Sequence, residues 1–313
     1  MSARLRARRA EERLFIEKLL GINGSKPPRY EIPVRVNATL RHYQRDGVDW
    51  LAFLNRFGLH GILCDDMGLG KTLQALCILA GSAHEQRQLR AACPTAAASP
   101  HLVVCPATLT GHWVAEAAKF CGAQLRALEY VGGAAQRERL WRTVAQHELV
   151  VTSYDVLRQD VARLSLTRWD YCVLDEGHVI KGVHSKTTLA AKRIAARRRL
   201  LLTGTPVQNN TVELWSLFDF LMPGYLGTHA HFKQCYAQPI QRSMDAPPGD
   251  EAQLAGDEAL RRLHGQVLPL CLRRTKAQVL SELPPKLIED RLCELHPLQR
   301  RLYSAFGQPR VRQ

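Results

Sequence analysis

The sequence lacks the cysteine spacing of a zinc site and the long apolar run of a membrane span. None of its nine cysteines forms a C-x-x-C pair, and Cys64, Cys105 and Cys172 lie in or beside apolar runs that are typical of buried strands. This distribution favours reduced, packed thiols in an intracellular protein over a disulfide framework. No apolar stretch reaches the roughly 20 residues that a membrane-spanning helix needs. The arginine-rich first residues have no apolar core after them, as a secretory signal would.

Acidic residues are scarce relative to basic ones. Asp and Glu number 29 against 43 Lys and Arg, which gives a formal net charge of +14 and an isoelectric point of about 9.6. This surplus favours a polyanionic partner such as nucleic acid, although basic proteins also bind membranes and acidic proteins. Hydrophobic residues make up 46% of the 313 residues, so a buried core is expected, in one large α/β domain with appendages or in two small domains.

Short apolar runs alternate with helical patterns through the middle of the chain. Six runs predict strands: Gly61–Cys64, Leu102–Cys105, Leu125–Tyr130, Leu149–Thr152, Tyr171–Leu174 and Leu200–Leu202. Helices are predicted at Leu40–Phe57, Thr72–Ala80, Leu109–Phe120 and Thr211–Met222. Short strands that are apolar throughout and alternate with helices indicate a parallel sheet covered on both faces, which is an α/β fold.

Three segments fall outside this alternation. Residues 2–20 predict one arginine-rich helix, and the Gly, Asn, Ser and Pro residues after it predict a linker. Such a helix fits either a solvated surface or a DNA-contacting role. The stretch Ala83–Pro100 is rich in Ala, Gln, Arg and Pro and predicts a surface insertion. The stretch Gln238–Asp257 carries three prolines and predicts a mobile loop.

A glycine-rich block follows the first predicted strand and opens a predicted helix. It consists of Asp65, Asp66, Met67, Gly68, Leu69, Gly70, Lys71 and Thr72. Glycines let backbone N–H groups close around phosphates, and the helix N-terminus adds the positive end of its dipole. In such a P-loop we expect Lys71 to reach the β- and γ-phosphates and the Thr72 hydroxyl to bind Mg²⁺. The usual P-loop begins with glycine at the position that Asp65 holds here.

Two further blocks end predicted strands of the same sheet. Asp175 and Glu176 follow Tyr171–Leu174, and carboxylates at the carboxyl end of a parallel strand point into the crevice where ligands bind. We expect Asp175 to hold Mg²⁺ and Glu176 to orient or deprotonate the attacking water. The turn Thr203–Pro206 follows Leu200–Leu202 and is expected at the same edge. Taken alone, each block is an ordinary strand end or turn. The presence of a P-loop in the same sheet is what favours a functional role for both.

These three blocks resemble motifs I, II and III of superfamily-two helicase-like ATPases, in particular of the SWI/SNF branch. Gln44, in Leu40–Gln44, resembles the glutamine that recognises adenine. Val104–Leu109 resembles motif Ia, Thr152–Asp155 resembles motif Ib, and Leu272–Lys276 with Leu283–Lys286 resembles the segment that bridges the two lobes of the motor. Several runs are similar to the group of ATPases that remove TATA-binding protein from DNA: Trp50–Asn55, His60–Asp66, Leu109–Trp113 and Asp175–Lys181.

The resemblance implies a RecA-like P-loop lobe with ATP and Mg²⁺ as cofactors. It implies duplex DNA and TATA-binding protein as partners, and the nucleus as the location. The expected organisation is a basic helical arm and linker at 1–30, the ATP-binding lobe at 31–225, and a helical extension and bridge at 226–313. Catalytic roles are expected for Lys71, Asp175 and Glu176, and contacts with DNA phosphates for Thr108, Thr152 and Ser153.

The resemblance also bears on turnover. The family's motor has a second RecA-like lobe that carries an arginine finger, and this chain is expected to hold the first lobe alone. We therefore expect the chain to be inactive in isolation. The alternative is a non-catalytic module that binds nucleotide and DNA. A P-loop kinase or a small GTPase is disfavoured, because neither needs the blocks that resemble motifs Ia and Ib and the bridge.

Overall fold

The structure is a computed structural model of the chain. It describes residues 17, 27–93, 99–204, 211–244, 246–247, 249–280, 289 and 293–307. The chain divides into two compact units, Met1–Val279 and Leu280–Gln313. The helix predicted at 2–20 (apart from Glu17), the residues Thr205–Pro206 and the run Leu283–Lys286 lie outside the described residues. The division at 30 and 225 stays a prediction.

A seven-stranded sheet runs through the first unit. Its strands are β1 (Gly61–Leu63), β2 (His101–Cys105), β3 (Ala127–Glu129), β4 (Leu149–Ser153), β5 (Trp169–Asp175), β6 (Ala196–Leu202) and β7 (Cys271–Leu272). Their spatial order is β3-β4-β2-β5-β6-β1-β7, and all neighbours are parallel. Strands β2, β4 and β5 are buried along their whole length, as strands covered on both faces are. The predicted parallel α/β fold is confirmed.

Helices cover the sheet and continue beyond it. In the first unit they are α1 (His42–Arg56), α2 (Lys71–Ala92), α3 (Thr110–Cys121), α4 (Ala134–Trp141), α5 (Tyr154–Gln159), α6 (Val161–Leu164), α7 (Lys186–Lys192), α8 (Thr211–Leu221), α9 (His229–Phe232), α10 (Gln238–Met244), α11 (Glu251–Val267) and α12 (Lys276–Val279). The second unit contains α13 (Pro297–Gly307). Short 3₁₀ helices include Ala107–Leu109 and Gly177–Ile180. In the part of the chain that the structure describes, no helix is long and apolar enough to cross a membrane.

Two segments are helical where the sequence predicted irregular structure. Helix α2 continues to Ala92, into the predicted insertion, because Ala, Gln and Arg are strong helix formers. The prediction of a mobile loop at Gln238–Asp257 was also wrong, since α10 and the first part of α11 occupy it. Helix α11 buries Ala259, Leu263 and Val267 at four-residue spacing, so packing of one face holds it in place.

The register of the strands brings the motif-bearing loops to one edge of the sheet. Since all seven strands are parallel, the loops after β1, β5 and β6 leave the sheet from the ends of the strands, which we call the carboxyl edge. Leu202 of β6 pairs with Leu63 on one side and with Asp175 on the other. Two strand spacings of about 4.8 Å place Leu63 and Asp175 about 10 Å apart. The glycine-rich block and the acidic pair therefore border one crevice.

Candidate nucleotide-binding site

The glycine-rich block forms the turn between β1 and α2. Gly68 and Gly70 have φ values of +85° and +80°, in the left-handed region that glycine adopts without strain. The Nζ of Lys71 donates to the carbonyl of Asp65 at 2.7 Å and to that of Asp66 at 3.3 Å. These bonds use two of the three N–H groups of the ammonium. The cation therefore lies inside the turn, where a P-loop lysine meets phosphate.

Gln44 of α1 closes one side of this turn. Its Nε2 donates to the carbonyl of Leu69 at 3.2 Å, and its Oε1 accepts from the backbone N–H of Arg41 at 3.0 Å. A Cβ at Gly70 would lie 2.4 Å from the Nε2 of Gln44, so the contact requires glycine there. A primary amide has two N–H groups and two acceptor lone pairs. These two bonds therefore leave Gln44 with capacity for a ligand beside the P-loop.

The turn after β6 touches the same loop. The backbone N–H of Thr203 donates to the carbonyl of Leu63 at 3.1 Å. A Cβ at Gly204 would lie 2.8 Å from the Cγ of Met67 and 3.7 Å from the Nζ of Lys71. The described half of the third motif thus packs directly against the P-loop. Thr205 and Pro206 lie outside the described residues.

Asp175 ends β5 with its carboxylate held from two sides. The indole Nε1 of Trp113 donates to Oδ2 at 2.9 Å, and the backbone N–H of Glu176 donates to Oδ1 at 2.9 Å. The Tyr154 hydroxyl donates to the backbone carbonyl of Asp175 at 2.7 Å. Burial, together with the Asp175 carboxylate, raises the pKa of Tyr154 well above its ordinary value, so this hydroxyl remains a donor. The sequence did not predict these supports, although Trp113 and Tyr154 follow or lie in the blocks that resemble motifs Ia and Ib.

Glu176 has an unusual backbone. Its φ of +52° is the only positive value among the described non-glycine residues, and a left-handed L-residue costs about 1–2 kcal/mol. Strained residues of this kind cluster at functional sites. The Glu176 carboxylate is 21% exposed and lies 3.2 Å from the Nδ1 of His178. The Glu176 carboxylate is therefore partly exposed at the carboxyl edge.

The three residues predicted to contact DNA differ in exposure. Thr108 is exposed in the 3₁₀ turn after β2. Thr152 is fully buried, and its hydroxyl donates to the carbonyl of Tyr130 at 2.7 Å. Ser153 is 4% exposed, and its hydroxyl accepts from the backbone N–H of Val156 at 3.2 Å, capping α5. The DNA-binding role of all three stays a prediction, but the Thr152 hydroxyl is already committed inside the fold.

The donors around the crevice fit Mg²⁺ that arrives with a nucleotide. The Thr72 hydroxyl and the Asp175 carboxylate are oxygen donors, which Mg²⁺ prefers. The described residues contain no group of three or more His, Cys, Asp or Glu side chains that could hold a metal ion. Mg²⁺ is commonly bound through one or two protein groups together with substrate phosphates. The set is therefore suited to a shared site with phosphate.

One contact of the P-loop was missed from the sequence. Asp65 pairs with Arg274, which lies 209 positions away and follows β7. The departure from the usual glycine at position 65 was visible in the sequence. Its partner was not, because a pairing over such a distance leaves no local pattern.

Comparison with known proteins places these features in context. A family described as "SNF2-related domain" matches residues 43–312. TATA-binding protein-associated factor 172 of Homo sapiens is 52% identical over 315 residues, covering 100% of this chain and 17% of that protein. TATA-binding protein-associated factor MOT1 of Saccharomyces cerevisiae is 49% identical over 302 residues, covering 96% of this chain and 16% of that protein. The chain thus spans about a sixth of the length of these curated relatives.

A solved structure shares the fold. The Sulfolobus solfataricus SWI2/SNF2 ATPase core in complex with dsDNA superposes with a TM-score of 0.68 at 33% identity, covering 88% of this chain and 54% of that chain. The predicted RecA-like lobe is confirmed by this match.

Proposed function

The chain belongs to the SNF2-related domain family, and we propose that it is the nucleotide-binding lobe of a DNA-dependent ATPase that displaces TATA-binding protein from duplex DNA. The observation that carries the ATPase proposal is the register of the carboxyl edge, where Leu63 and Asp175 pair with the same residue of β6. The names of the relatives associate them with TATA-binding protein, and displacement of that protein is what the resemblance of the sequence implies. It is proposed for a protein of the relatives' full length, of which this chain spans about a sixth.

Each side chain of the crevice has a proposed role. The loop residues Met67, Gly68 and Gly70 present backbone N–H groups to the phosphates of ATP, together with Lys71. The two other loop residues, Asp66 and Leu69, shape the loop, because their N–H groups donate to the carbonyls of Arg274 and Asp66. Thr72 and Asp175 hold Mg²⁺, which neutralises phosphate charge when bound. Gln44 contacts adenine through its remaining N–H group and lone pair. Glu176 orients or deprotonates the attacking water.

DNA is proposed to bind the exposed 3₁₀ turn that follows β2, beside the junction of β4 and α5. Thr108 donates to a phosphate directly, whereas Thr152 and Ser153 shape the turn behind the contact. Phosphate contacts position a protein without reading sequence. With a net charge of +14, affinity should fall with salt by roughly one logarithmic unit of slope per phosphate neutralised. Titrations of two unrelated duplexes over a salt series test this, and a strong preference for one duplex would contradict it.

Turnover by the chain alone is proposed to be barely above background. Arg274 lies beside the P-loop in the described part of the chain and donates to Asp65, Gln74 and the carbonyl of Tyr43, so it is not available as an arginine finger. Such a finger contributes roughly 10³–10⁵ in rate. A steady-state ATPase assay with and without duplex DNA tests this. Robust DNA-stimulated turnover would contradict the proposal, and turnover restored by a second-lobe polypeptide would exclude the non-catalytic module.

The test of nucleotide binding is the substitution Lys71→Ala. Removing the charge-assisted bonds to phosphate should weaken ATP binding by about 2 kcal/mol, or roughly thirtyfold. Lys119→Ala is the matched control, because Lys119 is exposed on α3. Calorimetry should give parental ATP affinity for Lys119→Ala only. Equal affinity in Lys71→Ala and the parent would rule out the P-loop assignment.

A nuclear location is proposed from the same relatives, whose names associate them with TATA-binding protein. Fluorescence microscopy of the tagged chain in living cells tests it, and exclusion from the nucleus would count against it.

A further inference from the structure

Asp65, at the first P-loop position, is completely buried and shares its carboxylate with Arg274. The backbone N–H and the Nε of Arg274 donate to Oδ1 at 3.1 Å and 2.9 Å, and its Nη2 donates to Oδ2. The Asp65 side chain is 0% exposed and that of Arg274 is 13% exposed. Buried charges are tolerated only with good geometry and with their remaining donors and acceptors satisfied.

Two other elements complete this arrangement. Gln74 of α2 donates to Oδ2 of Asp65 at 3.3 Å and accepts from the Nη2 of Arg274 at 2.9 Å. On α1, the carbonyl of Tyr43 accepts from Nη1 of Arg274, and the Tyr43 ring centroid lies 5.4 Å from the guanidinium carbon. A Cβ at Gly47 would lie 1.9 Å from the Oε1 of Gln74, so α1 has glycine where the arrangement needs space. We call Tyr43, Asp65, Gln74 and Arg274 the Asp65 cluster.

The Asp65 cluster fastens the segment after β7 to the back of the P-loop. Backbone bonds add to it: Cys64 N–H donates to the carbonyl of Leu272 at 2.7 Å, and Asp66 N–H donates to that of Arg274 at 3.0 Å. The N–H of Lys276 donates to Oδ2 of Asp66 at 3.0 Å. The carbonyls of Asp65 and Asp66 also receive the Lys71 ammonium. The residues that position the lysine are therefore those that hold residues 272–276.

We propose that Arg274 is a positioning residue for the phosphate-binding loop, and that the Asp65 cluster couples nucleotide binding to the anchoring of residues 271–276. The inference rests on the proposed binding of ATP. A loop held by Arg274 keeps its N–H groups and Lys71 in one arrangement before phosphate arrives, so less ordering is left for the nucleotide to induce. By linkage, a nucleotide that favours the held loop stabilises the held segment by the same factor. Because residues 272–276 resemble the bridge to a second lobe, nucleotide binding stabilises the start of that bridge through direct contacts.

The test compares two neighbouring arginines. Arg274→Met keeps the volume of the stem but removes both side-chain bonds to Asp65 and leaves the one from the backbone N–H. Arg273→Met is the matched control, because Arg273 is exposed in the same segment. Calorimetry should show ATP binding weakened tenfold or more in Arg274→Met and within twofold of the parent in Arg273→Met. Arg274→Lys retains the charge but lacks the fork of donors, so its affinity should lie between the two.

A second readout separates positioning from simple stabilisation. Hydrogen exchange of the amides of residues 271–276 should slow on adding ATP in the parent and in Arg273→Met, but not in Arg274→Met. If Arg274→Met does not fold, the double variant Asp65→Asn with Arg274→Met removes both buried charges and should fold while still binding ATP weakly. A folded Arg274→Met or double variant with parental ATP affinity overturns the inference alone. A parent chain that binds no ATP overturns the proposed function and this inference with it.

Discussion

The two edges of the parallel sheet both contain buried polar side chains, but they use them differently. At the strand starts, which we call the amino edge, Asp170 accepts from the hydroxyl of Ser82 at 2.6 Å and from Nη1 of Arg198 at 3.1 Å. At the carboxyl edge, Lys71 and Asp175 are only partly engaged by the protein and border a crevice. The Asp170 carboxylate at the amino edge is thus paired within the protein, whereas the carboxyl edge keeps donors and acceptors for a ligand.

Shifted pKa values of histidine, used alone, would place the candidate site at the amino edge instead of the carboxyl edge. Burial lowers the pKa values of His60 and His101 to about 4, with Arg199 adding to the effect at His60 and Asp170 opposing it at His101. Both residues lie at the amino edge. Such shifts are often used to find functional sites, yet His60 accepts from the backbone N–H of Arg199 at 3.2 Å and serves the fold. The carboxyl edge is distinguished instead by the left-handed Glu176 and by the glycines of the P-loop.

The largest expected effect separates chemistry from binding at the carboxyl edge. In a protein that joins this chain to a second RecA-like lobe, Glu176→Gln keeps the shape of the side chain but removes the base. Hydrolysis should fall by roughly 10²–10⁴, with ATP affinity within a few-fold of the parent. Single-turnover hydrolysis and calorimetry measure the two effects. Glu258→Gln, in an exposed pair with Arg261 on α11, should change neither, and near-parental hydrolysis in Glu176→Gln would mean that another residue positions the water.

The carboxyl edge was largely predictable from sequence because its signals are local. The P-loop strand β1 and the strand β5 lie within two residues of their predicted bounds at the ends that carry the motifs, since apolar runs followed by glycine or carboxylates mark strand ends. The two-residue strand β7 was missed, because two residues carry no periodic pattern. The pairing of Trp113 with Asp175 was missed for a related reason, since 62 positions separate them.

At the amino edge, we expect a stability effect without a binding effect. Asp170→Asn removes the carboxylate charge that lies 3.1 Å from Nη1 of Arg198 in a mostly buried pair. The free energy of unfolding should therefore fall by about 3 kcal/mol. ATP affinity of the folded protein should stay within twofold. Thermal melts and calorimetry provide the measurements, and Asp155→Asn, in an exposed pair with Arg158, is the control with an effect below about 1 kcal/mol. Loss of ATP binding at parental stability would show that the edges are not separate.

Mild acid should affect the amino edge through His101. Its pKa is lowered to about 4 in the folded chain, so the unfolded chain binds the proton at higher pH. The stability that the neutral ring contributes is therefore fully present above the ordinary histidine pKa of roughly 6.5 and is lost as pH falls toward 4. The loss in the free energy of unfolding is about 2 kcal/mol at pH 5. Melting temperatures at pH 7 and pH 5 should differ less in His101→Leu than in the parent. His112→Leu, at an exposed position of α3, should keep the parental difference, and an unchanged difference in His101→Leu would contradict the assignment.

The smallest expected effect divides the carboxyl edge itself into exposed and buried threonines. Thr108 is exposed after β2, whereas the hydroxyl of Thr152 donates to the carbonyl of Tyr130 at 2.7 Å with no exposed surface. Thr108→Ala should therefore weaken DNA binding by about 1 kcal/mol, the value of one neutral hydrogen bond, and leave the melting temperature unchanged. Because no charge is removed, the slope of affinity against salt should also stay the same.

Thr152→Ala should leave DNA binding unchanged and lower the free energy of unfolding by about 1–3 kcal/mol, because a buried carbonyl loses its donor. Fluorescence anisotropy with duplex DNA and thermal melts measure both variants. If Thr152→Ala weakens DNA binding at parental stability while Thr108→Ala does not, DNA approaches from the side of β4, and the proposed contact at Thr108 is wrong.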